Sequence, residues 1–366
     1  MPRWDVHCRV IDNHGDLGVS LRLARELARR GHGVRLLCDE AADLAWMSPG
    51  EIPGLSFAGF DGGDEVPDVV VEAFGCGLTP GRVGRIAEAG RAGRRVCWIN
   101  LEYLSAQSYV ERSHGLASPV HGGLEQGIRR WFFFPGFTPA TGGLLRESGL
   151  LAAREGFDRA AWLAGAGVSW QGERIVSLFC YEPPALADLL EALQAEPTLL
   201  LVAPGRGARA LRALAGIAET AAAARRGSLQ VHFLPHGDQD RFDRMLWCGD
   251  FNFVRGEDSL VRALWAGSGL AWQAYPQEDG AHGAKIEAFL DWLDAPPGLR
   301  RLHAAWNGLP GARFCWPDPA ECARAVRAAR SRALAQEDLV TRLERFVAET
   351  ARMAGCVPFF GQRSPS

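Results

Sequence analysis

The chain has 366 residues, 47% hydrophobic and 23% charged, with a net charge of −3. That exceeds the roughly 250–300 residues that one hydrophobic core usually serves, so two domains are expected. The balance of 40 basic and 43 acidic side chains offers no global positive field for nucleic acid or anionic membrane, and the longest apolar runs, TLLLVA and WFFFPGF, are too short to span a bilayer.

Taken in chain order, strands and helices alternate. DVHCRVID (5–12) has the alternating pattern of a half-buried strand and not of a signal peptide. GVSLRLARELARRG (18–31) follows as a helix, with Leu21, Leu23, Ala24, Leu27 and Ala28 on its apolar side. Gly31 is placed to end it in a left-handed cap. GVRLLCDE, DVVVEAFG and RRVCWINLEYL read as further strands, the last two separated by the helical TPGRVGRIAEAGRAG. The pattern restarts after an irregular, Gly-rich region near 136–172. RIVSLFCYE, TLLLVAPG, LQVHFLP, GDFNFVRG and GLAWQAYP read as strands, with PALADLLEALQA and DSLVRALWAG as helices between them. Short apolar strands alternating with helices indicate parallel sheets covered on both faces, an α/β class with two Rossmann-like halves. The expected domains are 1–170 and 171–349. A last helix, EDLVTRLERFVAETARMA, leads into a tail, and the segment 350–366 is expected to return to the first domain.

Nine cysteines stand at 8, 38, 76, 97, 180, 248, 315, 322 and 356, without a CxxC. Several fall inside predicted strands, so reduced structural thiols in a cytoplasmic protein are expected. Neither a zinc spacing nor HExxH is present, and no metal site is expected.

Ligands in open α/β sheets bind beyond the carboxyl ends of strands, and the chemically rich stretches fall there. VIDNHGDLGVS places Asp12 and Asp16 around a tight Gly-containing turn, without the GxGxxG dinucleotide fingerprint. Asp16 can be read as a helix cap or as a functional carboxylate; the cap leaves Asp12 unexplained. FVRGEDSLVRALWAG puts Arg255, Glu257, Asp258 and Ser259 at a strand-to-helix turn, with the helix expected to begin at Ser259. Free amides and the helix dipole there suit a phosphate, while the two acids are either first-turn residues or ligands of sugar hydroxyls or of a cation. Tyr275 ends a strand, as a core tyrosine or a phosphate ligand. Gly205 and Gly207 make a simple turn, and the DxD of Asp238 and Asp240 reads as a solvated loop.

VIDNHGDLGVSLRLARELA, WINLEYLSAQSYVE, FFFPGFTPATGGLL, FNFVRGEDSLVRALWAG and YPQEDGAHGAKIEAFL together resemble the EarP family of protein-arginine rhamnosyltransferases, in register from about residue 4 to about 360. The resemblance implies a GT-B glycosyltransferase fold, two facing Rossmann-like domains with the active site in the interdomain cleft. It implies inverting transfer of L-rhamnose from dTDP-β-L-rhamnose to one arginine of elongation factor P, with no metal or other cofactor. By the same resemblance Asp16 is the general base and Asp12 its support, and Glu257 is catalytic. Arg255 belongs to the same RGEDS motif, and Asp258, Ser259 and Tyr275 lie at the donor's diphosphate. Phe179 and Tyr181 flank the thymine, and Gln239 reads the base, with His236 competing in the loop PHGDQD. Two other enzymes and a binder remain as alternatives. A GT-B transferase for a lipid would want an amphipathic membrane patch, which is not evident; a glycan is the other such acceptor. A non-catalytic nucleotide-binding protein would be expected to lose Asp16 or Glu257. A nicotinamide oxidoreductase would carry GxGxxG.

Overall fold

The structure, a computed structural model, describes residues 1–10, 15–39, 44, 46–119, 128–276 and 280–353. It divides into two compact units, Met1–Ser148 with Gln336–Ser366, and Gly149–Ala335. The first unit is built on a seven-stranded sheet. Its strands are β1 (Arg3–Cys8), β2 (Gly33–Cys38), β3 (Leu55–Gly59), β4 (Val69–Ala73), β5 (Cys97–Leu101), β6 (Ala117–Pro119) and β7 (Arg129–Phe133). They lie in the order 3-2-1-4-5-7-6, parallel apart from β6. β1 is central, with Trp4 in register with Val34 of β2 and Val69 of β4. All five residues of β4 are buried, as a parallel strand covered on both faces requires. The exposed β3 and the short antiparallel β6 take the edges.

Helix α1 (Gly15–Arg29) follows β1, α2 (Pro80–Arg91) follows β4, and α3 (Tyr109–Ser113) follows β5. On α1, Leu17, Leu21, Ala24 and Ala28 form a stripe spaced by three and four residues that packs with Trp4, Val6 and Leu36. The helix stops as the sequence indicates: Gly31 has φ +92° and donates its N–H to Ala28 O at 2.9 Å.

The second unit begins with α4 (Leu150–Glu155) and α5 (Arg159–Gly165). It continues β8 (Arg174–Leu178), α6 (Leu186–Ala192), β9 (Thr198–Val202), α7 (Arg206–Ala215), β10 (Ala223–Arg226) and β11 (Leu229–Phe233). Then come α8 (Gln239–Cys248), β12 (Phe251–Arg255), α9 (Gly256–Ala266), β13 (Gly269–Gln273), α10 (Ala281–Leu293), α11 (Pro297–Trp306) and α12 (Pro319–Leu334). The sheet order is 10-11-9-8-12-13, parallel apart from β10.

The last helix, α13 (Leu339–Met353), belongs to the first unit. Its Leu339, Val340, Leu343 and Val347 join the core around α1. Arg30 of the α1 end donates to Asp338, Thr341 and Glu344 at 2.8–2.9 Å. The unit boundaries thus fall at 148/149 and 335/336, each earlier than the 170/171 and 349/350 read from sequence. The physical reason is the apolar stripe of α13, which has its core partners on the first sheet. The tail beyond Met353 lies outside the described residues. Among those residues no helix is long and apolar enough to cross a membrane.

Eight described cysteines are free thiols, six of them buried and Cys315 exposed.

His7 on β1 and His303 on α11 are both buried, and burial pulls each down to about 4. Arg35 adds to the effect at His7. Their pKa values fall on folding, so between about pH 6.5 and 4 the unfolded chain binds the extra protons. Stability from these groups is therefore intact above pH 6.5 and lost on acidification. We expect each to remove about 2 kcal/mol between pH 7 and pH 5. Thermal or urea unfolding at the two pH values checks this; equal stability at both would contradict it.

Candidate active site

In the second sheet the chain runs outward from β8 through β9 and β11 on one side, and through β12 and β13 on the other. The switch point lies between β8 and β12, where an open α/β sheet leaves a crevice. Phe179 and Tyr181 follow β8, Arg255 ends β12 and Tyr275 follows β13. The sequence-predicted residues of this unit are therefore placed by strand ends that flank one crevice.

The β12–α9 turn is tight. Arg255 is extended (φ −130°), and Gly256 turns into the helix with φ +66°. A side chain at 256 would carry the left-handed penalty of about 1–2 kcal/mol. The helix begins at Gly256 rather than at Ser259 because this glycine completes the turn at once. The amides of residues 256–258 thus precede the first i→i−4 bond of the helix and lack intrahelical acceptors, at the positive end of the dipole. Glu257 and Asp258 sit in the first turn. The Ser259 hydroxyl is buried and donates to the Arg255 carbonyl. The Trp272 indole N–H holds the Gly256 carbonyl at 2.8 Å, which fixes the helix start.

Arg255 lies between two rings. Its guanidinium carbon is 4.6 Å from the Phe179 ring centre and 4.5 Å from that of Tyr181. The Tyr181 N–H donates to Gln273 Oε1 at 2.8 Å, and its ring meets Tyr275 edge-on at 5.7 Å. Tyr275 is 51% exposed, so it is not a core residue; it faces solvent beside the crevice. Phe179 contacts Phe242 of α8 at 5.1 Å. Gln239, buried at the start of α8, is one turn before Phe242, whereas His236 is exposed in the preceding loop. β13 is an edge strand, and backbone groups of the strand and of the residue after it are taken up by side chains of α11 and of Asn307 just beyond it. His303 Nε2 accepts from Trp272 N at 3.0 Å, and Asn307 accepts from Ala274 N and donates to Trp272 O. Those contacts set the chain leading into Tyr275.

Two cations of this region escape a reading of sequence alone. Arg206 follows Gly205 and lies 5.2 Å over the Tyr181 ring, donating to Glu182 Oε1 at 2.8 Å. That bond holds the Glu182 carboxyl below its ordinary range. The GxG here serves packing: Gly207 N–H donates to Cys180 O at 3.1 Å, and a Cβ at 207 would stand 2.6 Å from Cys180 Sγ. Lys285 of α10 donates to Glu257 Oε1 at 2.5 Å. Its partner is 28 residues away, a separation that no local spacing rule signals.

In the first unit the switch point lies between β1 and β4. Asp16 is the second residue of α1, half-buried, in the first turn rather than at the cap. Its charge adds to burial in pushing the Cys8 thiol upward. Asp12 lies outside the described residues. At the end of β4, Phe74 has φ +57°, a strained value for an aromatic residue. Its ring stacks on Tyr103 at 4.7 Å, after β5. Glu72 holds the turn by accepting from Gly77 N and Trp98 Nε1, both at 2.9 Å. Tyr103 remains 39% exposed.

Asp238 of the DxD is the cap of α8, accepting from Arg241 N at 2.7 Å. His232 and His236 stand four residues apart, but His232 lies in β11 and Pro235 intervenes, so they share no helical face. Among the described residues no three His, Cys, Asp or Glu side chains are grouped to hold a metal.

Comparison with known proteins places this architecture. A family model described as Elongation-Factor P (EF-P) rhamnosyltransferase EarP matches residues 4–348. A protein-arginine rhamnosyltransferase of Pseudomonas putida (strain KT2440) is 42% identical, over 94% of this chain and 98% of its own length. Another, of Pseudomonas aeruginosa (strain PAO1), is 41% identical over 86% and 90%. A solved structure described as the structural basis for EarP-mediated arginine glycosylation of translation elongation factor EF-P superposes with a TM-score of 0.66. It is 33% identical and covers 96% of this chain and 100% of that one. The spinosyn forosaminyltransferase SpnP shares the fold alone, at 13% identity and a TM-score of 0.50 over 95% of this chain and 99% of its own. Two parallel, helix-covered sheets in this order make the fold GT-B. The chain belongs to the EarP family of elongation factor P rhamnosyltransferases.

Proposed function

We propose that the chain transfers L-rhamnose from dTDP-β-L-rhamnose, with inversion, to an arginine side chain of elongation factor P. The observation that carries this reading is the match of residues 4–348 to the family, joined to a crevice whose side chains and amides suit a nucleoside diphosphate. In that crevice Phe179 and Tyr181 present aromatic faces and Gln239 a polar group for the base. The amides of 256–258, Arg255 and Tyr275 present donors for the diphosphate.

The acceptor sets the chemical problem. A guanidinium holds its proton about nine pKa units more tightly than a carboxylic acid, near 12 kcal/mol for complete transfer. Asp16 therefore does not deprotonate it in advance. It binds the cation and turns one nitrogen toward the anomeric carbon, with Asp12 supporting it. As the C–N bond forms, the bond from the anomeric carbon to the phosphate oxygen breaks, and the proton passes to Asp16. Attack from the face opposite the leaving group inverts the centre. Glu257 is the second unit's catalytic carboxylate. The departing dTDP takes the electron pair, and its charge is met by the α9 amides and Arg255. The stacked Phe74–Tyr103 pair gives the first unit an aromatic surface for a cationic side chain.

Helix amides and Arg255 supply the positive charge that a divalent ion supplies elsewhere, and Asp238 is already engaged as a cap. Turnover should accordingly persist in EDTA. Activity abolished by EDTA and restored by magnesium or manganese would overturn the metal-free mechanism.

The function is tested by incubating the chain with dTDP-β-L-rhamnose and elongation factor P. The reading predicts a one-deoxyhexose mass gain on a single arginine, with the anomeric configuration inverted. No gain, or a gain on another residue type, would contradict it.

A further inference from the structure

Lys285 is the single lysine among 366 residues, against 39 arginines. A chain that uses arginine at every other basic position keeps at 285 a compact ammonium on a flexible stem, which the planar guanidinium does not reproduce. The position is not a solvated surface. The side chain is 23% exposed, its ion-pair partner Glu257 is 17% exposed, and the two are 2.5 Å apart. Glu257 is the second residue of α9, so the ammonium stands at the same helix start as the amides of 256–258.

That placement meets an electrostatic difficulty in the proposed site. Two carboxylates, Glu257 and Asp258, occupy the first turn of the helix that is to receive a diphosphate, and like charges at that range repel. A cation bound to Glu257 removes part of the repulsion. An ammonium also has three N–H donors and can serve a carboxylate and a phosphate oxygen together.

We infer that Lys285 belongs to the nucleotide-sugar site, as the residue that neutralises Glu257 so that a nucleoside diphosphate can bind beside it. The inference rests on the donor-site reading above. Lys285 acts through Glu257 and through the phosphate; it takes no proton and forms no bond.

A lysine that merely ties α10 to α9 would give a different pattern of variants. Lys285→Met keeps the stem and removes the charge. By calorimetry it should weaken dTDP binding roughly tenfold or more, with its melting temperature close to that of the wild type. Glu257→Gln should leave dTDP affinity equal or tighter. The double variant should return to within about threefold of the wild-type affinity while transfer stays lost, because the unbalanced charge is gone with its partner. A second measurement uses the unaltered chain. Lys285 is the only side-chain amine, so its acylation by an amine-specific reagent is read directly by peptide mass. Saturating dTDP should slow it several-fold, relative to the N-terminal amine.

Unchanged dTDP affinity in Lys285→Met, no recovery in the double variant, or acylation indifferent to dTDP would each overturn the inference and leave the proposed function standing. A wild-type chain that binds dTDP and transfers no sugar would overturn the function and leave Lys285 in a nucleotide site. Failure of the wild type to bind dTDP would overturn both.

Discussion

Asp16→Asn should lower kcat by about 10²–10⁴-fold and leave dTDP affinity unchanged. The substitution keeps size and hydrogen-bonding shape and removes the charge. Asp16 sits in the first turn of α1, where Asn is tolerated, so the fold should survive. The loss falls on turnover because an amide neither balances the guanidinium nor takes its proton. dTDP affinity should be untouched because the residues proposed to bind it, Phe179 to Tyr275, lie in the other unit. Single-turnover kinetics and dTDP calorimetry on one preparation separate the two effects. Turnover within about threefold of the wild type would remove Asp16 from proton transfer.

Arg255→Met has the second largest expected effect, on both donor binding and turnover. The thioether keeps much of the length and fills the space between the Phe179 and Tyr181 rings, 4.6 and 4.5 Å from the guanidinium carbon. What is lost is a cation held between two ring faces, worth about 0.5–2 kcal/mol to their arrangement. Also lost is the charge proposed to stand beside the departing diphosphate. Removing one such group from a leaving-group site costs about 10²–10³ in turnover, and dTDP affinity should fall with it. Rapid-quench measurement of the chemical step, with nucleotide titration, checks both. An Arg255→Met enzyme with normal chemistry and normal affinity would show that the guanidinium serves only to pack the rings.

Much of the fold is legible in the sequence because its central strands are mostly apolar. RIVSL, TLLLV and FNFVR are bounded by turn residues, and each proves to be a strand of the second sheet. The edges are less legible. β3 is short and mostly exposed, and β7 sits in an aromatic run, RRWFF, whose residues alternate weakly between faces. The return of α13 to the first unit is hidden because nothing in composition changes between Ala335 and Gln336. Its partners, Trp4 and Leu17 among them, are more than 300 residues away. The candidate site divides along the same line. Arg255, Glu257, Asp258 and Ser259 are found together because one turn carries them. Tyr275, open as core or ligand in sequence, is shown by its exposure not to be a core residue. Lys285 and Arg206 meet their partners only through tertiary contact, and sequence spacing gives no sign of either.

A crystal structure of this chain with dTDP tests the central claim most directly. The account predicts the diphosphate at the amides of residues 256–258 beside Arg255, with the thymine against Phe179 and Tyr181. A diphosphate bound away from that helix start would contradict it.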